Sequence, residues 1–417
     1  MKNIILKQAT IIDTESKFHN QKMDITIENG KITSIDKSAK NSENLEEILL
    51  DNLHVSQGWF DSSVSYGEPG FEDRETISNG LKVAAKSGFT DIALQPNSYP
   101  IIDNQTSISF VKSKANGFAT NLHPIGALTK NSQGEDLAEL FDMKNTGAIA
   151  FGDYNKPIDK ANIQKIALQY VQDFDGLILS FCQEITLKGN GVVNEGVVST
   201  KLGLKGIPAM AEEIDLIRNL SILEYTGGKM HVPTISTEKS VALIKEAKTK
   251  GLNVTCSVSV HHLTLNETVL EGFDSRYKVA PPLQTETNRK ALIKGITDGT
   301  IDMITSDHNP IDIEHKKLEF DLAKNGTIGL ETAFGMLQNV LPTETIIEKL
   351  VNGKTVFGLE KNNIEVGQKA SLSLFNPNST SVFTKENILS KSKNSAFIGQ
   401  TLNGKVYGIY NNGKLEL

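Results

Sequence analysis

Two hydrophobic periods alternate along the chain. Near the start, in "MDITIENGKITSID", Ile25 and Ile27 occupy every second place before Asn29-Gly30, and Ile32 and Ile35 follow. Alternation at period two marks a half-buried strand, and Asn-Gly between two such runs predicts a type I′ hairpin because both central residues need positive φ. The other end repeats this alternation. There "ASLSLFNPN" and "GKVYGIYNNGKLEL" alternate around Asn376-Pro377 and Asn412-Gly413, predicting strands and tight turns from about residue 366 onward. The two ends, residues 1–56 and 361–417, are expected to build one small β domain.

Residues 57–360 read differently. Short β-branched runs alternate there with helical patterns, which is how parallel strands joined by crossover helices are written. Strands are expected at 60–65, 92–97, 125–129, 148–153, 177–181, 230–234, 254–259 and 303–308. Helical text follows most of them. In "STEKSVALIKEAKTKG", Ser236 or Thr237 can cap, Glu238 suits the positive helix end, Gly251 terminates, and Val241, Ile244 and Ala247 share a face. "TETNRKALIKGITDG" repeats the form with Leu292, Ile293 and Ile296. Eight β-α units favour a closed TIM barrel over an open doubly wound sheet. The expected fold is therefore α/β, a (β/α)8 barrel with a small β-sandwich domain built from both chain ends. Chemistry in such barrels gathers at the C-terminal strand ends.

Composition narrows the function. The 417 residues include 38% hydrophobic and 22% charged positions, enough for a large core. A net charge of -7 argues against general nucleic-acid binding, which rests on basic patches. Two cysteines, Cys182 and Cys256, are too few for a disulfide framework, and no apolar run is long enough for a bilayer. A cytoplasmic protein without membrane or nucleic-acid partners is expected.

Several segments then match a known pattern in order: "GWFDSSVSYGEPGFEDRET", "ALQPNSYP", "NGVVNEGVVSTKLGLKGIPAMAEE", "HVPTIST", "VTCSVSVHHLTL", "KVAPPLQTETNRKALIKGITDGTIDMITSDHNP" and "IGLETAFG". Over nearly its whole length the chain resembles the dihydroorotases, a family of cyclic amidohydrolases. The resemblance implies a zinc site in active relatives: His-x-His after strand one, a carboxylate or modified lysine after strand four, histidines after strands five and six, and an Asp after strand eight. Zinc lowers the pKa of bound water to about 7, and the last Asp moves a proton between that hydroxide and the ring nitrogen.

Carried over by position, this pattern fails at its ligands. Ser63 and Ser65 stand at His-x-His, Phe181 at the fifth-strand His and Thr234 at the sixth-strand His. Phenyl cannot coordinate zinc, and neutral hydroxyls are poor ligands. Asp153 and Asp307 remain, the latter at the family's general acid/base position. Among implied substrate contacts, Gly67 replaces an Arg, Ala280 an Asn and Ile311 a His, while Asn97 is retained. Losing the Arg removes a bidentate, charge-assisted clamp on carboxylate.

Other residues leave alternatives open. His231, His308, Asp153 and Asp307 all fall at expected strand ends and could hold one ion if their geometry allowed, although His231 reads better as a packed histidine. His261 and His262 read as structural, Cys182 as a buried thiol rather than a nucleophile, and Trp59 and Phe60 as core. Without a cation, Asp153 and Asp307 at about 5 Å would repel by roughly 3 kcal/mol at an effective dielectric of about 20. A water, a proton or a hydroxyl from Ser63, Ser65 or Thr234 would have to relieve that. No cofactor is expected. The leading expectation is an inactive dihydroorotase homologue of pyrimidine biosynthesis that supports the catalytic subunit of aspartate transcarbamoylase, as a homodimer or hetero-oligomer. The alternatives are an active cyclic-amide hydrolase with an altered metal site and a binder of ureido or dicarboxylate metabolites in the vacated pocket.

Overall fold

Asn29 and Gly30 adopt φ 52° and 76° between strands Lys22–Glu28 and Lys31–Asp36, so the first hairpin turns where the sequence places it. Asn412 and Gly413, at φ 52° and 71°, do the same between Thr401–Asn411 and Lys414–Glu416. The computed structural model describes residues 2–39 and 45–417. At Asn376-Pro377 the expectation of a tight turn is corrected. One strand, Leu372–Val382, runs through that dipeptide, and its register against the neighbouring strand slips between Asn376 and Thr380. Proline has no N–H to give the ladder, and a slip in pairing accommodates it without a reversal of direction.

Strands from both chain ends share one sheet. Ile4–Ile12 pairs in parallel with His54–Gln57, which pairs antiparallel with Leu372–Val382. A separate core of Ile4, Leu6, Ile25, Val55, Leu372 and Tyr410, among others, fills this domain. Gly408 lies in it at φ 143°, where a Cβ would come within 1.8 Å of the Glu416 carbonyl oxygen. Gly408→Ala is therefore expected to destabilise the protein by on the order of 1–3 kcal/mol, measured as a lower urea midpoint.

The middle of the chain forms the barrel. Eight parallel strands run in sequence order from Trp59–Val64 to Met303–Thr305. Closure joins last to first, with Ser65 N–H donating to the His308 carbonyl at 2.7 Å and His308 N–H to the Ser63 carbonyl at 3.1 Å. Alternation along each strand divides the apolar residues. Phe60, Ala93, Ile125, Ala150, Leu179 and Met303 form one cluster with Phe357, while Trp59 and Phe89 join the larger core shared with the helices. Trp59 and Phe60 are thus core residues, the Trp59 ring stacking 5.2 Å from Phe334. Thr237, not Ser236, caps the helix Glu238–Thr249, accepting from Ser240 N–H, and Thr285 caps Glu286–Thr297. No helix among the described residues is long and apolar enough to cross a membrane.

Candidate functional site

The C-terminal strand ends converge on Asp307, whose φ of 48° turns its side chain out of the strand direction. Ser63 Oγ donates to its Oδ1 at 2.8 Å, and the Tyr154 hydroxyl lies 3.5 Å from the same oxygen. Burial pushes the Asp307 carboxyl up to about 7; the Ser63 bond opposes this and the charge of Asp61 adds to it. Asp61 lies beneath the site, fully buried, accepting from the N–H groups of Ser63 at 3.0 Å and Ser306 at 2.8 Å and from the Thr305 hydroxyl. It fixes the backbone of strand ends one and eight together. Sequence reasoning passed over Asp61 although it stands in the same "WFDSSV" run.

Asp153 faces elsewhere. Its carboxylate accepts from the N–H groups of Leu128 at 2.9 Å and Thr129 at 3.1 Å and from the Thr129 hydroxyl, so it ties strand-end four to the loop after strand three. The expected repulsion between Asp153 and Asp307 is replaced by one between Asp61 and Asp307. Ser65 Oγ donates to Asn97 Oδ1 at 2.9 Å, engaging the one residue kept at the substrate positions the resemblance implies. Phe181 and Thr234 are buried, and Thr234 Oγ1 has no hydrogen-bond partner among the described residues.

The histidines do not assemble into a metal site either. His231 places Nδ1 2.9 Å from Thr255 Oγ1 and Nε2 3.1 Å from Ser257 Oγ, and burial drives its pKa down to about 3. His308 Nδ1 accepts from the N–H groups of Gly329 and Leu330. His262 is held by Ser259 Oγ at 2.6 Å. His261 approaches closest, with Nε2 4.0 Å from Asp307 Oδ2, yet burial holds it neutral. Among the described residues, no three His, Cys, Asp or Glu side chains group as metal ligands would. The proposed set of His231, His308, Asp153 and Asp307 is not brought together, because each is engaged by a different stretch of backbone or hydroxyl. The residues present do not fit zinc.

Room is lacking as well as ligands. Tyr154, at φ 57°, lines a void of about 10 Å³ with Ser63, Gln95, Leu179, Pro233 and Thr234. That is about the space one water needs. Sequence reasoning missed Tyr154 because nothing about a Tyr after Asp153 announces a left-handed residue. At Gly67, with φ 121°, a Cβ would sit 2.4 Å from the Phe71 carbonyl oxygen, so the turn at the position where the resemblance implies an arginine excludes any side chain. Ile311 is buried, its N–H donating to Asn394 Oδ1 at 3.0 Å. Cys182 is a packed thiol near Ser180 and Asn219, its pKa pushed well up by burial.

The chain joins a closed parallel barrel to a β-rich domain drawn from both chain ends. A family model described as amidohydrolase family matches residues 198–415, and one described as dihydro-orotase-like matches residues 54–240. Dihydroorotases of Pelotomaculum thermopropionicum and Acetivibrio thermocellus are each 38% identical over 421 aligned positions, spanning 99% of this chain and 98% of theirs. The chain belongs to the dihydroorotase family. In fold it is similar to the L-hydantoinase (dihydropyrimidinase) of Arthrobacter aurescens, with a TM-score of 0.85 at 20% identity over 100% of this chain and 98% of that one. A D-hydantoinase (dihydropyrimidinase) from Thermus sp. gives 0.81 at 20% identity, covering 99% and 94%.

Proposed function

We propose that this chain is a non-catalytic member of the dihydroorotase family serving pyrimidine biosynthesis, and that it supports the catalytic subunit of aspartate transcarbamoylase. One observation carries the first half: the four imidazole positions hold Ser63, Ser65, Phe181 and Thr234, while Asp153 is turned to Thr129. Hydroxide at neutral pH requires a metal that imidazole and carboxylate can hold. The coherent core and closed barrel support a scaffold that is still used. The partnership with the transcarbamoylase is an analogy to non-catalytic dihydroorotase-like chains, at the level of family rather than of residues.

Purified after zinc-supplemented expression, the protein is expected to carry well under one zinc per chain and to leave dihydroorotate ring opening at its uncatalysed rate. Stoichiometric zinc with chelator-sensitive turnover would overturn this reading. Mixed with the transcarbamoylase catalytic subunit, the chain is expected to co-elute on size exclusion, and separate elution would remove the partnership alone. The second reading, a cyclic-amide hydrolase with an altered metal site, draws support from the retained Asp307 and from full-length relatives named dihydroorotase.

A further inference from the structure

The closed centre has an open neighbour. Beside it, and sharing Asn155 with it, is a cavity of about 330 Å³ between the loops after strands four, five, seven and eight. Lys188, Lys278 and Lys324 line it together with the amides of Asn155 and Gln183, and no carboxylate among the described residues lines it. Of the family's substrate positions only Ala280 reaches this wall. Three lysines around one concave space are unusual in a chain whose net charge is -7.

Lys278 Nζ donates to the Asp321 carbonyl at 2.8 Å, a neutral acceptor. Lys316, buried in the next layer, directs its donors to the carbonyls of Ser275 at 2.8 Å, Lys278 at 3.2 Å and Lys324 at 2.9 Å. Burial, and then the charge of Lys278, push Lys316 down to about 7. Asp321 acts on Lys278 and Asp274 on Lys316 from outside the lining, each raising the ammonium against burial. Low-dielectric walls lined by one sign of charge focus potential on the space between them and favour an oppositely charged ligand. The two amides add hydrogen bonding of the kind that orients a small molecule.

We infer that this cavity binds a small organic dianion, a dicarboxylate or a phosphate ester, through Lys188, Lys278 and Lys324. Each anionic end takes charge-assisted hydrogen bonds from ammonium groups, and the space suits a metabolite but not a polymer. Nothing in the binding requires a metal or turnover, so the inference stands apart from the function proposed above.

Calorimetric titration of the full chain with succinate and, separately, inorganic phosphate at low ionic strength tests it. Saturable one-site binding of at least one probe is expected; succinate alone assigns a carboxylate ligand, and phosphate a phosphate ester. Lys188→Gln with Lys324→Gln, at positions that reach solvent, is expected to weaken binding on the order of tenfold or more without moving the thermal midpoint. The same charge loss at Lys82 and Lys86, on a remote helix, is expected to leave it unchanged. No saturable heat with either probe, or undiminished affinity in the Lys188→Gln/Lys324→Gln protein, would overturn the inference.

Discussion

Lys354→Met is expected to lower unfolding free energy by about 3–5 kcal/mol, read as a large drop in urea midpoint. Lys354 Nζ lies 2.8 Å from Asp91 Oδ2 at the base of the barrel, with both side chains almost wholly out of water. Asp91 Oδ1 also meets His123 Nε2 at 2.9 Å and takes Asn121 Nδ2 at 2.9 Å. Burial alone would raise the Asp91 carboxyl, but the Lys354 charge and the His123 bond outweigh it and hold the group far below the usual carboxylate range. Taking away the lysine leaves an ionised carboxylate buried with only part of its compensation. The double variant Lys354→Met/Asp91→Asn removes both charges and is expected to recover much of the loss, because neither partner is then stranded. A double variant as unstable as the single one would show that packing of the lysine stem, not charge, carries the effect.

Asp307→Asn is expected to act in the opposite direction, and only at the alkaline side. In the folded protein the Asp307 pKa stands at about 7 against an ordinary value of 3.8. The native state therefore keeps a proton that the unfolded chain has released. The resulting contribution to stability is fully present below pH ~4 and disappears as pH climbs through 7. Asparagine carries no such titration. A variant that matches the parent near pH 5 is expected to exceed it at pH 8 by on the order of 2–3 kcal/mol, about 1.4 kcal/mol for each pH unit between 5 and 7 and an upper figure before relaxation and hydration. Equal unfolding free energies for parent and variant at both pH values would show that the carboxyl titrates normally.

Much of the fold could be read from local text. Each of the eight strands overlaps its expected run, and Thr237, Thr285, Asn29-Gly30 and Asn412-Gly413 act where their chemistry places them. Such signals are legible because capping and turn formation involve residues only a few places apart. Strand length was less legible: the run expected at 148–153 pairs only over Ala150–Phe151, since the ends of barrel strands bend away into their loops.

The site divides along the same line. That Ser63, Ser65, Phe181 and Thr234 deprive the mouth of imidazole follows from residue identity. What replaced the metal did not follow, because the decisive contacts are non-local. Ser63 and Asp307 are 244 positions apart, as are Asp61 and Thr305. Tyr154, Thr234 and Asp307 all adopt positive φ, at 57°, 51° and 48°. These kinks, which no side-chain type dictated, set where each group points. Asp153 showed the limit most plainly: retained in sequence, it is turned by two N–H groups and a hydroxyl toward a neighbouring loop.

The plug at the barrel mouth also bears on history. Imidazoles in place of Ser63 and Thr234, with an ion, cannot enter a void the size of one water unless the Tyr154 ring departs, and an arginine in place of Gly67 requires the turn against Phe71 to be rebuilt. Each such edit made singly would crowd or strain the present structure before conferring anything. Sterics thus act as a ratchet, channelling descendants of this sequence toward innovation at the rim and outer faces rather than reversion at the centre.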